Sequence, residues 1–269
     1  MSIPLEDLFN DVVSKAQRGL GYTNDALADK VGVAAAAVEA TKEGATDTSI
    51  LMKLAAGLGL HGPSLAEMSD QAWYPEPVEL EGLAQFNTPF HDMTVNAYLI
   101  WDPASKEAAA FDTGATAQPI VDKIRELGLN LRYLFLTHTH ADHVADIGSL
   151  NAPEILISEL ESHPDATTFV PGAEWNLGSL KIGSRTTSGH SKGGTTYVIE
   201  GLAKPVAVVG DALFASSMGG GAVSFTDALA TNRSQIFTLA DDTVVAPGHG
   251  PMTTVGEEKA HNPFYPEFK

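Results

Sequence analysis

His138, His140, Asp142 and His143 fall within six residues of one another in the run Leu136-Thr-His-Thr-His-Ala-Asp-His143. Neutral imidazole nitrogens and carboxylate oxygens are ligands for zinc, iron or manganese, and a nitrogen–oxygen site with open positions can activate water. Strand residues two apart share a face. His138 and His140, at the end of the apolar run 133–137, can therefore aim at one ion. Asp142 and His143 follow the turn toward a segment with helical spacing and can face a second position. Four ligands do not complete two sites.

Three later segments offer the remainder, each setting a His or Asp beside glycine at the end of an apolar strand. They are Ser188-Gly-His190-Ser191, Val209-Gly-Asp211-Ala212 and Pro247-Gly-His249-Gly250. Glycine permits close backbone approach or positive φ, which suits a ligand presented at a tight turn. The chain has no cysteine, which excludes disulfides, thiolate ligands and a thiol nucleophile. Any metal is left to His, Asp and Glu.

The elements that must carry these residues divide the chain in two. Residues 1–72 read as helices only. Apolar positions at Leu5, Leu8, Val12, Val13 and Ala16 form one helical stripe, and further helices are expected after Thr23, over 33–38 and from Asp47 to Leu58. Gly59-Leu-His-Gly-Pro63 reads as a terminator. Residues 73–79 carry Pro75 and Pro77 and read as an extended linker. From about 80 to 269, β-prone runs at 93–101, 108–111, 131–136, 155–158, 195–200, 205–209 and 243–246 alternate with helical spacing at 118–127, 144–150 and 226–239. Mixed strands and helices in one unit predict a layered α+β architecture.

The 269 residues include 43% hydrophobic and 19% charged ones, ordinary globular values, and no apolar stretch approaches a bilayer span. The start of the chain lacks the basic and apolar parts of a secretory signal, so a cytoplasmic location is expected. A net charge of -18 disfavours nucleic acid and anionic membranes as partners. A small-molecule substrate is expected instead.

The order THTHADH, SGHS, VGDALF, PGHGPMTTVGEEKAHNPF, with NAYLI at 96–100 and FDTG at 111–114, resembles the metallo-β-lactamase superfamily, in its glyoxalase II-like branch. The resemblance runs from about residue 90 to 264. It implies a four-layer αββα sandwich with two divalent metal ions at one edge, zinc being the expected metal and iron or manganese the alternatives. On it, His138, His140 and His190 hold one ion, Asp142, His143 and His249 the other, and Asp211 bridges both, with Asp142 and Asp211 as the catalytic carboxylates. The implied activity is hydrolysis of a thioester or ester, as in hydroxyacylglutathione hydrolases, by hydroxide formed between the ions. The loop after Asp211 reads Phe214-Ala-Ser-Ser-Met218-Gly-Gly-Gly221 where those enzymes carry Cys-Gly-Arg.

HADHV and GDAL also resemble persulfide dioxygenases, which implies one iron held by His138, His190 and Asp211. The spacing of the first helices resembles the helix-turn-helix domain of the Cro and phage-repressor class, which leaves open a metal-responsive or DNA-binding regulator. Against that reading, the recognition position 34–41 lacks Arg, Asn and Gln. Residues 1–75 also carry ten acidic side chains against five basic ones. Docking or homo-oligomer formation is the expected role of this segment. Thr137 and Thr139 are candidate supports for the histidines, and Asp112 in the DTG turn is a candidate partner for one of them. His61, His91, His163 and His261 lie outside the motifs and are expected at the surface.

Overall fold

The computed structural model describes residues 2–269. The N-terminal helices are α1 (Phe9–Gly19), α2 (Asn24–Val31), α3 (Ala35–Lys42), α4 (Thr48–Leu58) and α5 (Gly62–Ser69). Thr23 Oγ1 accepts from the Ala26 amide and Asp47 Oδ1 from the Ile50 amide, so short polar side chains start α2 and α4. Gly59 ends α4 at positive φ. The Gly62-Pro63 pair then opens α5 instead of ending the helical region, because proline in a first turn forgoes an amide that has no helical acceptor.

Two six-stranded sheets follow. The first runs in chain order: β1 (Leu83–Phe90), β2 (Met93–Trp101), β3 (Glu107–Phe111), β4 (Asn130–Phe135), β5 (Glu154–Ser158) and β6 (Thr167–Phe169). Its β1-β2-β3 part is antiparallel, and β3 to β6 are parallel, with α6 (Gln118–Leu127) and α7 (Ile147–Leu150) as crossovers. The second holds β7 (Glu174–Leu177), β8 (Leu180–Thr186), β9 (Thr195–Glu200), β10 (Val206–Gly210), β11 (Val244–Pro247) and β12 (Thr253–Thr254), also adjacent in chain order. Its β10 and β11 pair in parallel across α8 (Phe225–Thr231), which continues as a π turn over Asn232–Ile236. After β12 comes α9 (Val255–His261).

The central strands are buried on both faces, which is why they read as unbroken apolar runs. Successive side chains alternate between layers. Tyr98, Ile100, Ala109 and Phe111 meet Val206, Val208, Val244 and Ala246 between the sheets. Ala97, Leu99, Ala108 and Ala110 face α6 and α7 outside the first sheet. Ala207, Val209 and Val245 face outward from the second sheet into a cluster with Val12, Val13, Ala16, Leu51, Leu54 and Leu65 of the N-terminal helices. The result is an αββα sandwich whose fourth layer is enlarged by α1–α5. The stretch between α5 and β1 is packed as well: Trp73 stacks on His261 at 4.4 Å, and the Glu76 amide donates to Glu257. Among the described residues no helix is long and apolar enough to cross a membrane.

Candidate metal centre

Every residue of the site sits just past the end of a strand. Asp112 follows β3, His138 to His143 follow β4, His190 follows β8, Asp211 follows β10 and His249 follows β11. Parallel strands end on one edge of their sheet, so β3, β4, β10 and β11 deliver their ligands to that edge without long loops.

The side chains form two groups. Ligand atoms of His138, His140, His190 and Asp211 lie within 4.8 Å of one another, and so do those of Asp142, His143 and His249. Asp211 stands between them. Its Oδ2 is 3.2 Å from His190 Nε2 and 3.4 Å from His249 Nε2, and its Oδ1 is 3.3 Å from His143 Nε2. His249 Nε2 also lies 3.4 Å from Asp142 Oδ2. All seven residues expected from the sequence are thus brought together.

The far nitrogen of four imidazoles is occupied by the protein. His143 Nδ1 lies 2.8 Å from Asp112 Oδ2, His249 Nδ1 2.7 Å from the Thr94 carbonyl, His190 Nδ1 2.9 Å from the Gly220 carbonyl and His138 Nδ1 3.0 Å from Thr137 Oγ1. Each of these contacts leaves Nε2 for the cluster. His140 turns the other nitrogen inward, with Nδ1 2.9 Å from His190 Nε2. His138 Nε2, His143 Nε2 and Asp211 Oδ1 are buried with no hydrogen-bond partner. Buried polar atoms without partners are costly, and three of them converging in one nitrogen–oxygen cluster fit divalent cations.

The charges fit as well. Burial disfavours a charged His143, but Asp211 and Asp112 outweigh it and raise its pKa to about 10. Burial likewise opposes charge on His249, yet Asp211 and Asp142 push it up to about 11. Burial raises the Asp211 pKa, and His143 and His249 reverse that and hold it well below the carboxylate range. Burial together with the neighbouring His143 keeps His138 neutral, well below the usual histidine value. The carboxylates therefore demand positive charge, which protons or metal ions can supply.

Local backbone explains one glycine and one residue at positive φ. A Cβ on Gly248 would lie 2.1 Å from Asp211 Oδ1, so only glycine lets β11 end beside that carboxylate. Asp112 holds φ +56, unusual for a residue with a side chain. From there its Oδ1 accepts from the Thr137 amide and its Oδ2 from Thr137 Oγ1 and His143.

Other supports carried no metal-ligand signature. Glu161 accepts from Thr139 Oγ1 at 2.7 Å and from the Gly193 amide at 2.8 Å, joining the loops of His140 and His190. Asn96 Nδ2 donates to the carbonyls of Pro247 and Gly250, and Tyr98 Oη to that of Pro247, which fixes the turn carrying His249. A polar residue inside the apolar NAYLI run was the available signal for Asn96; Glu161 left none. From the N-terminal segment, Glu6 places a carboxylate oxygen 3.9 Å from His249 Nδ1. His61, His91, His163 and His261 lie away from the cluster: His61 caps α5, and His261 bonds Glu67.

The metallo-beta-lactamase superfamily model matches residues 92–154. The hydroxyacylglutathione hydrolase GloC of Haemophilus influenzae is 30% identical over 197 residues, covering 63% of this chain and 92% of that protein. The human mitochondrial persulfide dioxygenase ETHE1 is 32% identical over 180 residues, covering 62% of this chain and 69% of that one. The crystal structure of ETHE1 from Myxococcus xanthus superposes with a TM-score of 0.58 at 28% identity, covering 67% of this chain and 83% of that chain. The chain belongs to the metallo-β-lactamase superfamily. The two sequence relatives leave more than a third of the chain unmatched.

Proposed function

We propose that this chain is a metal-dependent hydrolase of thioesters or esters that works with two divalent ions. The observation that carries this reading is Asp211 between two groups, each with enough ligand atoms for an ion of its own. His138, His140 and His190 would hold one ion, Asp142, His143 and His249 the other, and Asp211 both. Zinc fits this set, as do iron and manganese. The ions would supply Lewis acidity for activating water and polarising a carbonyl.

The chain's own part is to orient and to exclude. Asp112 and the carbonyls of Thr94 and Gly220 lock the imidazoles with Nε2 inward, and Thr137 turns His138 the same way. Burial of His138, His143, Asp211 and His249 shields the cluster from bulk water, and exposed His140 marks the side where substrate would enter. Asp142, which is half-buried, and buried Asp211 would be the catalytic carboxylates in this reading. We assign 80–269 to this catalytic unit, 73–79 to its linker and 1–72 to an attached helical unit. The helix-turn-helix-like spacing of that unit serves packing in this reading, and no duplex shift is expected in low-salt gels.

A hydrolase screen over S-lactoylglutathione, other thioesters, lactones and phosphodiesters tests the proposal. Hydrolysis should vanish with chelator and return with zinc, and no turnover of any class by metal-replete protein contradicts it. A second reading, persulfide oxygenation with a single iron, rests on the 32% identity to ETHE1. Oxygen uptake with a persulfide, without thioester hydrolysis, decides for that reading.

A further inference from the structure

The chain carries five arginines. Arg125, Arg132 and Arg233 pair with carboxylates, and Arg185 donates to the Gln235 carbonyl. Among the described residues Arg18 has no such acceptor. It lies near the end of α1, where it lines a cavity of about 300 Å³ together with Lys15, Gly19, Gly220, Gly221 and Ala222. In a protein of net charge -18, a cavity whose only charged lining residues are two cations stands apart.

The cavity adjoins the metal centre. The Gly220 carbonyl on its rim accepts from His190 Nδ1 at 2.9 Å, and His190 Nε2 reaches Asp211 at 3.2 Å. One imidazole ring therefore separates cavity from ligand cluster. Helix α1 and the loop after Asp211 are tied together by polar contacts. Lys15 Nζ pairs with Asp7 at 2.5 Å and donates to the Met218 carbonyl at 3.0 Å, and Asp7 accepts from Ser217 Oγ at 2.5 Å. Lys15 is thus spent on tying α1 to the loop that follows Asp211, which leaves Arg18 as the free cation. The amides of Gly220 and Gly221, two residues that also line the cavity, have no acceptor among the described residues. A guanidinium and unpaired amides on one cavity are a combination that binds oxyanions.

We propose that this cavity is a subsite for an anionic group, a carboxylate or phosphate, carried by the substrate away from the scissile bond, with Arg18 as its specificity-determining residue. The proposal rests on the hydrolase reading for the word substrate. The subsite itself is tested by binding.

Calorimetric titration of the full-length, zinc-loaded protein would use unreactive thioethers of one length: S-methyl mercaptohexanoate, S-methyl mercaptohexyl phosphate and the neutral S-methyl mercaptohexanol. The wild type should bind at least one anionic thioether about tenfold more tightly than the alcohol, the contribution of one charge-assisted contact, and Arg18→Ala should abolish that preference. The anion bound more tightly names the group. Equal binding of all three, or a preference that survives Arg18→Ala, overturns the subsite. Hydrolysis of the matching S-acetyl thioesters is scored separately. A binding preference lost in Arg18→Ala without any hydrolysis keeps the subsite and removes the hydrolase reading. Cleavage of all three at equal kcat/KM in both proteins keeps the hydrolase reading and removes the subsite.

Discussion

Asp112 Oδ2 lies 2.8 Å from His143 Nδ1, and the same oxygen accepts from Thr137 Oγ1 at 2.7 Å. Thr137 Oγ1 in turn is 3.0 Å from His138 Nδ1. One carboxylate held at positive φ therefore orients an imidazole in each of the two ligand groups. Asp112→Asn preserves volume and removes the charge. Loss of such an outer partner typically weakens metal binding by roughly 10–100-fold. Competition titration with a chromogenic chelator should show this drop, and unchanged affinity contradicts the role.

Glu161 bridges Thr139 and the Gly193 amide. Glu161→Ala frees the loops of His140 and His190 from each other and should lower affinity at their ion about tenfold or more. The effect should be confined to that ion. Metal titration resolves the two binding steps, and equal weakening of both argues for a general loss of structure instead.

Gly248→Ala places a methyl where Asp211 Oδ1 stands. The carboxylate or the turn must move, and the variant should fold yet lose metal retention on gel filtration. Retention at the wild-type level means the turn relaxes at no cost to the site.

Glu258 supplies a pH signature away from the ligands. Burial raises its pKa from 4.5 to about 8, although Asn262, Thr253 and the Ser216 amide donate to it. An acid whose folded pKa is raised contributes stability that is complete below its unfolded pKa and is lost as pH rises toward the folded one. The loss therefore falls between about 4.5 and 8, at roughly 1.4 kcal/mol per unit traversed. Urea unfolding at acidic and mildly alkaline pH should show the wild type weakening relative to Glu258→Gln. Parallel profiles for the two proteins contradict the assignment.

The sequence was most legible where both faces of a strand are buried. The run 93–101 and the run 195–200 are β2 and β9 as read, and 118–127 is α6. Short or half-exposed strands such as β6, β7 and β12 carry little apolar signal, and β8 has lysine and arginine within it. The segment 144–150 shortens to α7, because its first residues belong to the turn that presents His143. The ligands were legible because metal binding restricts residue type and sets glycine beside several of them. Glu161 and Asn96 were not, since their partners lie 22 to 154 residues away, and neither was the contact of Lys15 with the Met218 carbonyl, 203 residues on. The packing of α1–α5 onto Ala207, Val209 and Val245 was equally hidden, as apolar spacing states that a face is buried but not against what.

Metal stoichiometry tests the central claim most directly. Elemental analysis of the purified, zinc-reconstituted protein should give two ions per chain, falling to one in His249→Ala with the remaining ion on His138, His140 and His190. A single ion per chain at saturation, unchanged in His249→Ala, contradicts a dinuclear centre.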